Sequence, residues 1–243
     1  MRDFLLDLVQ HTHGLGFIDT VKITGEDNET VVDAMAEDRS VIVQAKFKTS
    51  VTGFNGTFGM PNLNKLNILL GIPEYKENAK ISVNTQERND ETVPVGLHFE
   101  NASGDFKNDY RFMSAEIINE KLKTVKFKGV NWGVELEPSV AAVQRFTFQA
   151  QANSEETTFI AKTEGADLKF FFGDHSTHAG NFVFQPDAGG KLERAWSWPV
   201  EQVSKILSLG GDTTFKFSDD GVAEIVVDSG LAEYRYLLPA QSK

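Results

Sequence analysis

Two short segments of the chain, residues 60–71 and 198–210, carry the same spacing of hydrophobic positions. In each, leucine, isoleucine or valine recurs at steps of three and four residues, the period of one face of an α-helix. Pro61 and Pro199 stand at the expected first helical positions, where a missing amide proton costs nothing. Gly71 and Gly210 follow the last hydrophobic residues and suit a left-handed C-terminal cap. Both segments therefore predict short amphipathic helices.

Alternation of polar and apolar residues on either side of these helices predicts half-buried antiparallel strands. After the helices, the alternation covers residues 80–85 and 213–218. Before them the match is looser: residues 20–24 and 41–48 in the first half correspond to residues 158–162, 168–172 and 181–185 in the second. Strands and helices are thus expected in the same order in both halves.

A further helix is predicted at the start of each half, over residues 3–13 and 138–149. The first helix gathers on one face Phe4, Leu5, Leu8 and Val9. The second gathers Val140, Ala141, Val143 and Phe148, although residues 146–149 fit a strand equally well. The halves repeat at an offset of about 138 residues, joined by a lysine-rich segment, residues 120–133. That segment fits an extended strand with a basic edge or a connector that crosses the surface. The fold class predicted is α+β, as a tandem duplication of one unit.

Composition changes the picture in one respect, the charge. A chain of 243 residues with 40% hydrophobic residues can form two domains of ordinary size. The formal net charge of −11 argues against nucleic-acid binding unless the basic residues are segregated on one surface, and an ordinary acidic protein explains it equally well. The absence of cysteine excludes disulfides, thiol catalysis and cysteine-ligated metal, which suits an intracellular protein. We find neither a signal peptide nor a membrane-spanning stretch.

Catalytic and metal-binding patterns are weak. His11 and His13 lie two positions apart on a predicted helix, so their rings point apart. Asp174, His175 and His178 fall in a predicted turn, where solvation explains them. The sequence has no phosphate-binding loop and no nucleophile elbow. We therefore expect no enzyme, no metal and no cofactor.

The duplicated order of elements resembles the sliding clamps of DNA polymerases, a family that includes proliferating cell nuclear antigen and the clamps of T-even-type bacteriophages. Three stretches support the resemblance. Residues 54–63, Phe-Asn-Gly-Thr-Phe-Gly-Met-Pro-Asn-Leu, resemble the lead-in to the second helix of phage clamps. Residues 34–43, with Met35, resemble the stretch before a hydrophobic strand in eukaryotic clamps. Residues 230–240 resemble the closing strand of the family.

The resemblance implies two clamp domains, with antiparallel sheets outside and short helices lining a concave face. The expected bounds are residues 1–122 for the first domain, 123–133 for the connector and 134–243 for the second domain. It further implies a homotrimeric ring that encircles duplex DNA without sequence specificity and confers processivity. A replicative DNA polymerase and a clamp loader are the implied partners, in the cytoplasm of a bacterial host if the protein is viral.

The family lines its hole with the helices of each subunit, which here implies a set of polar and basic DNA-facing residues. They are Arg2, Asn62, Asn64, Lys65, Asn67, Arg145, Gln149 and Lys205. Ordinary solvated helix faces would have the same composition. The positive charge of these helix faces is small, because Asp3, Asp7 and Glu201 lie on the same helices and offset it.

The resemblance also implies a hydrophobic groove for partner peptides beneath the connector. Its residues are Met35, Val41, Val43, Phe127, Tyr236, Leu238 and Pro239. Core or strand positions are an alternative for all seven. Leu238 and Pro239 are expected at the surface because they lie near the chain end.

Subunit contacts in the family join edge strands of opposite halves, head to tail. The strands implied here are residues 109–113 and 180–185, with Tyr110, Phe112, Phe182 and Phe184 as interface residues. Two other functions stay open: a β-rich virion or structural protein without DNA binding, and a processivity factor that holds DNA by charge without forming a ring.

Overall fold

The computed structural model describes residues 1–88, 91–123, 125, 127–174 and 178–241. These residues form five short α-helices and fifteen β-strands. The helices are α1 (Arg2–His11), α2 (Leu63–Gly71), α3 (Ala115–Lys121), α4 (Val140–Ala152) and α5 (Val200–Leu207). The first eight strands are β1 (Thr20–Glu26), β2 (Glu29–Met35), β3 (Ile42–Phe47), β4 (Gly56–Pro61), β5 (Lys80–Arg88), β6 (Glu91–Glu100), β7 (Lys107–Arg111) and β8 (Val134–Leu136). The others are β9 (Thr158–Glu164), β10 (Asp167–Phe172), β11 (Gly180–Gln185), β12 (Trp196–Pro199), β13 (Asp212–Ser218), β14 (Val222–Asp228) and β15 (Ala232–Pro239).

The chain divides into two compact units. The first consists of Met1–Glu37, Val43–Val125 and Ser229–Tyr234. The second consists of Asp38–Ile42, Lys126–Asp228 and Arg235–Lys243. Each unit holds one pair of neighbouring helices, α1 with α2 or α4 with α5, together with antiparallel strands.

The first unit has two sets of neighbouring strands. Their orders are β4-β1-β2-β3 and β5-β6-β7. β2 alternates buried and half-buried residues, which is the burial expected of a strand with one face on the core. α2 turns four leucines inward: Leu63, Leu66, Leu69 and Leu70. Burial of this stripe, at roughly 25 cal/mol per Å² of apolar surface, holds the helix where its nine residues alone would not.

In the second unit the orders are β14-β13-β8, with Arg235–Pro239 of β15 beside β14, and β11-β10-β9-β12. Phenylalanine dominates its core. The Phe146 ring on α4 lies 5.0 Å from that of Phe159 and 5.8 Å from that of Phe170. Such edge-to-face and tilted pairs add to the stabilisation that area burial gives.

All four predicted helices are confirmed. The first helical positions predicted for Pro61 and Pro199, and the cap predicted for Gly71, are wrong. Pro61 is the last residue of β4, and α2 begins two residues later. Asn62 caps it from a left-handed conformation with φ of 51°, and its side chain accepts a hydrogen bond from the Lys65 amide. Because the asparagine supplies the cap, the proline stays in the strand. Pro199 likewise ends β12, and Gly71 is the last helical residue of α2.

The inward face predicted for α4 is wrong. The structure buries Ala142 and Phe146, whereas the side chains of Val140 and Phe148 are 76% and 65% exposed. Residues 142 and 146 lie on one helical face four positions apart, so the stripe is shifted around the helix from the one predicted. The large aromatic pocket formed by Phe159, Phe170 and Phe172 selects Phe146 over the smaller valines.

The segment between the repeats forms no helix or strand over its described residues from Leu122 to Gly133. Of its four lysines, Lys126 lies outside the described residues. Helix α3, just before it, was not expected from the sequence. No helix within the described ranges is both long and apolar enough to span a bilayer.

Candidate functional site

The α1–α2 pair of the first unit carries five of the eight predicted DNA-facing residues. Asn64, Lys65 and Asn67 project from the exposed face of α2, and Asn62 is exposed at its N-terminus. Arg2 is used differently. Its guanidinium donates to the Leu70 carbonyl at 2.8 Å and to the Tyr75 carbonyl at 3.2 Å, so it fastens the start of α1 to the end of α2. A cation near the C-terminus of a helix also offsets the helix dipole.

In the α4–α5 pair of the second unit, the predicted cations are engaged within their own unit. Arg145 donates to the Val183 carbonyl at 3.2 Å and lies 5.3 Å from the centroid of the Phe182 ring. Lys205 forms an ion pair with Glu201 at 2.6 Å, one helical turn away. Gln149 accepts from the Asn153 amide group at 3.1 Å. Arg2, Arg145 and Lys205 thus each have a side-chain partner, whereas for Lys65 no side-chain hydrogen bond or ion pair is found in the described part of the chain.

The predicted groove residues are mostly buried. In the second unit Val41, Tyr236 and Leu238 have no exposed surface, whereas Pro239 is exposed. In the first unit Val43 is buried and Met35 is half-buried. The surface position expected of Leu238 is wrong: it lies in β15, and a strand in a sheet is covered whether or not the chain ends nearby.

Phe127 marks the surface part of this predicted groove. Its ring is half-buried, 6.2 Å from that of Trp132, and the Arg235 guanidinium lies 6.0 Å from its centroid. Beneath Arg235 is the buried carboxylate of Glu224, which accepts a hydrogen bond from it at 2.5 Å. An aromatic side chain next to a paired cation is suited to contact an apolar anchor of a peptide.

The predicted interface strands lie at sheet edges: β7 ends the order β5-β6-β7, and β11 ends the order β11-β10-β9-β12. Their named aromatic side chains turn inward. Tyr110, Phe182 and Phe184 are buried, and Phe112 is half-buried against Phe58, with ring centroids 4.4 Å apart. These rings stabilise their own units.

The outward positions of the same strands were missed. Asp109 and Arg111 flank Tyr110 on β7, and Asn181 and Val183 flank Phe182 on β11; all four are exposed or half-buried. The period of two in both segments is the signal that could have found them, because neighbours of a core aromatic in a strand face away from the core.

Asp109 and Tyr110 differ in environment as well as direction. His98 Nδ1 lies 2.9 Å from a carboxylate oxygen of Asp109, and this hydrogen bond holds the pKa of that carboxyl below its usual range. Burial, and secondly the charge of Asp19, raises the pKa of Tyr110. Its hydroxyl donates to the Pro61 carbonyl at 2.5 Å. The Tyr110 hydroxyl therefore stays neutral, and its hydrogen bond is made within the first unit.

The histidines of the predicted weak metal patterns have other partners. The ring of His11 is buried, stacks 4.4 Å from that of Tyr234 and places Nδ1 2.9 Å from the Asp7 carbonyl. His175 lies outside the described residues. Across the described ranges, no group of three or more histidine or carboxylate side chains is arranged to hold a metal ion.

Similarity to known proteins is found at the level of structure. No protein-family model matches the sequence, and no curated protein matches it significantly. PCNA from Thermococcus kodakaraensis superposes with a TM-score of 0.70 at 13% identity, covering 99% of this chain and 97% of the other. The A. fulgidus PCNA bound to the C-terminal region of FEN-1 gives a TM-score of 0.68 at 11% identity, covering 100% and 97%. The coverage extends over essentially the whole of each chain, so the chain has the α+β sliding-clamp fold of PCNA.

Proposed function

We propose that the protein is a DNA sliding clamp, a processivity factor that encircles duplex DNA and tethers a replicative DNA polymerase. The observation that carries the proposal is the end-to-end match with PCNA, 99% of this chain on 97% of that one. Two units that each combine one helix pair with antiparallel sheets support it. The bounds we propose are residues 1–122 and 134–243 for the two domains, with residues 123–133 as connector.

A closed ring explains how an acidic chain can stay on DNA. A ring cannot leave a duplex sideways, so it needs no tight binding, and specific base contacts would impede sliding. With a formal charge of −11, the chain cannot rely on attraction over its whole surface. Contacts from the α2 and α5 faces, led by Lys65, are sufficient for a loose hold, since charges beyond about 8 Å are screened at physiological salt.

Ring closure is proposed to join the exposed edge of β7 to that of β11 in the next copy, head to tail, three copies closing the ring. Both strands end their described sheets, so each has an edge without a neighbouring strand, although the Val183 carbonyl already accepts a hydrogen bond from Arg145. The outward residues Asp109 and Arg111 on β7, and Asn181 and Val183 on β11, would meet in this pairing. A heterologous contact of this kind closes into a ring when its rotation allows.

Partner peptides of the polymerase and of a clamp loader are proposed to dock on the surface around Phe127 and Pro239. The loader would supply the energy of ring opening, so this chain needs no nucleotide, metal or catalytic group of its own. Such a clamp acts where DNA is replicated, which is the cytoplasm if the host is bacterial.

The experiment that tests the proposal is the mass in solution. Light scattering at micromolar concentration should give three chains of 27.0 kDa each. A monomer over the whole concentration range would overturn the ring and leave the processivity factor that holds DNA by charge alone. Replacing Val183 in the β11 edge by lysine should lower the mass, while the same change at exposed Ile68 on α2 should not.

A further inference from the structure

A recess in the second unit has no role in the proposed clamp. Its volume is about 680 Å³, and it lies between the start of α4, the end of α5 and the start of β13. Apolar side chains line one part of it: Val140, Val143, Leu207 and Leu209. Glu137 and Asp212, both exposed, line another part, and no lysine or arginine is found among the described lining residues.

The first unit has an equivalent position, defined by matching the helices of the repeat. Arg2 is the first residue of α1 and Val140 the first residue of α4. The buried residues of α2 and α5 recur with the same spacing, which sets Leu70 opposite Leu207. In the first unit Arg2 crosses this position and donates to the carbonyls of Leu70 and Tyr75.

Two differences leave the position open in the second unit. The valine that replaces Arg2 has no hydrogen-bond donor, and its side chain is 76% exposed. The connection from helix to strand is also shorter, since Ser208–Gly211 replaces Ile72–Ala79. The longer connection carries Tyr75, whose buried ring packs 5.4 Å from that of Phe99. The first unit thus supplies from its own chain both a cation and an aromatic ring.

The chemistry of the open recess suits a side chain like that of Arg2, which occupies the equivalent position of the first unit. The carboxylates of Glu137 and Asp212 attract a cation, and the carbonyl end of α5 has the negative end of the helix dipole. The valine and leucine walls accept an apolar side chain. A guanidinium fits this combination better than an ammonium, because it is planar, weakly hydrated and donates in a fixed fork.

We propose that this recess binds an arginine side chain, with an apolar residue beside it, from a segment of a partner protein. The proposal stands on the second unit alone and holds whether or not the chain forms a ring. The two carboxylates disfavour the phosphates of DNA at this position.

The test uses the full-length protein and a synthetic peptide, acetyl-Gly-Arg-Phe-Gly-amide, with citrulline in place of arginine as the matched control peptide. Methyl NMR should show the resonances of Val140, Val143, Leu207 and Leu209 shifting with the arginine peptide. Citrulline keeps the shape but removes the charge, so its affinity should be about tenfold weaker, the loss expected for one charge-assisted contact. Equal affinities, or no shift at these methyl groups, would overturn the proposal.

Variants locate the site independently. Val140→Arg should occupy the recess from within, abolish peptide binding and raise the melting temperature, because the new guanidinium would make the contacts that Arg2 makes in the first unit. Ile68→Arg, an equal change at an exposed position of α2, should leave peptide binding unchanged. The double variant Glu137→Gln, Asp212→Asn removes the charges without added bulk and should weaken binding of the arginine peptide only. Unchanged binding in Val140→Arg, or displacement of the peptide by a DNA duplex from these methyl groups, would contradict an arginine site.

Discussion

Asp7 shows how one polar side chain can connect distant parts of the first unit. It lies on α1, 10% exposed, and accepts hydrogen bonds from the Tyr234 hydroxyl at 2.7 Å and the Ser229 hydroxyl at 3.1 Å. Tyr234 is fully buried. Asp7 therefore joins the first helix of the first unit to residues more than two hundred positions away in the chain.

Asp7→Ala is expected to lower the free energy of unfolding by about 1–3 kcal/mol, because two hydroxyl donors lose their acceptor and one of them is buried. Urea denaturation at neutral pH measures this. Asp3→Ala on the same helix is the control, since Asp3 is exposed, and its effect should stay within about 0.5 kcal/mol. If both substitutions lowered the free energy of unfolding equally, the loss would come from the helix itself and not from the hydrogen bonds of Asp7.

Tyr110→Phe is expected to cost about 1 kcal/mol at pH 7, because the hydrogen bond to the Pro61 carbonyl is lost. The variant should also respond less to alkali. Since burial raises the pKa of Tyr110, its stabilising contribution is complete below the ordinary tyrosine value of 10.0 and is lost as the pH rises above it. Denaturation at pH 7, 10 and 11 should show a shallower loss for the variant; parallel losses would contradict the buried hydroxyl.

At the scale of elements, α2 and α5 each bury four residues with the same spacing, but their exposed side chains differ. α2 exposes Asn64, Lys65 and Asn67, whereas the cation of α5, Lys205, is paired with Glu201. An exposed pair of this kind adds only about 0.3–0.5 kcal/mol, so it can exchange for a phosphate without a large loss of stability. In the proposed clamp, these helix faces would therefore contact DNA without binding it tightly.

Lys65→Glu combined with Lys205→Glu is expected to impair retention on DNA, with a stability change below about 1 kcal/mol. The matched control is Lys46→Glu with Lys191→Glu, which makes the same change in net charge at two exposed ion pairs away from these helices. Processivity of the cognate polymerase on primed circular DNA measures the effect. A control as impaired as the test variant would show that net charge, and not the helix faces, matters.

The partly exposed groove residues allow a second prediction at this scale. Phe127→Ala with Pro239→Ala should abolish polymerase stimulation and keep the assembly mass, because both changes remove surface without opening the core. Leu238→Ala, in contrast, should destabilise the protein by about 2–5 kcal/mol, since Leu238 is fully buried. Stimulation that survives the first pair would show that partners dock elsewhere.

For the whole molecule, topology and charge lead to different behaviour on DNA. A protein held by charge alone loses affinity steeply as salt rises, on linear and circular DNA alike. A closed ring of an acidic chain depends little on that attraction once loaded. The net charge of −11 makes the two cases easy to separate.

Once loaded, the protein is expected to stay on nicked circular DNA at a salt concentration that prevents binding from solution, and to leave after the circle is linearised. Gel filtration of the loaded DNA, before and after cutting at one site, measures this. Equal loss from circular and linear DNA would contradict encirclement.

The sequence by itself determined four of the five described helices, about half of the strands and their repetition, because local periodicity and turn residues act over a few positions. It also indicated the family fold, which the structure confirms. Tertiary structure decided which side of each element faces inward. Phe146 is buried and Val140 is not, because phenylalanine side chains of β9 and β10 pack around Phe146. Those strands lie outside the helix and its local pattern. Burial of Leu238, the hydrogen bond from Arg2 to the end of α2, and the recess of the second unit depend likewise on packing between segments far apart in the chain, which no local pattern records.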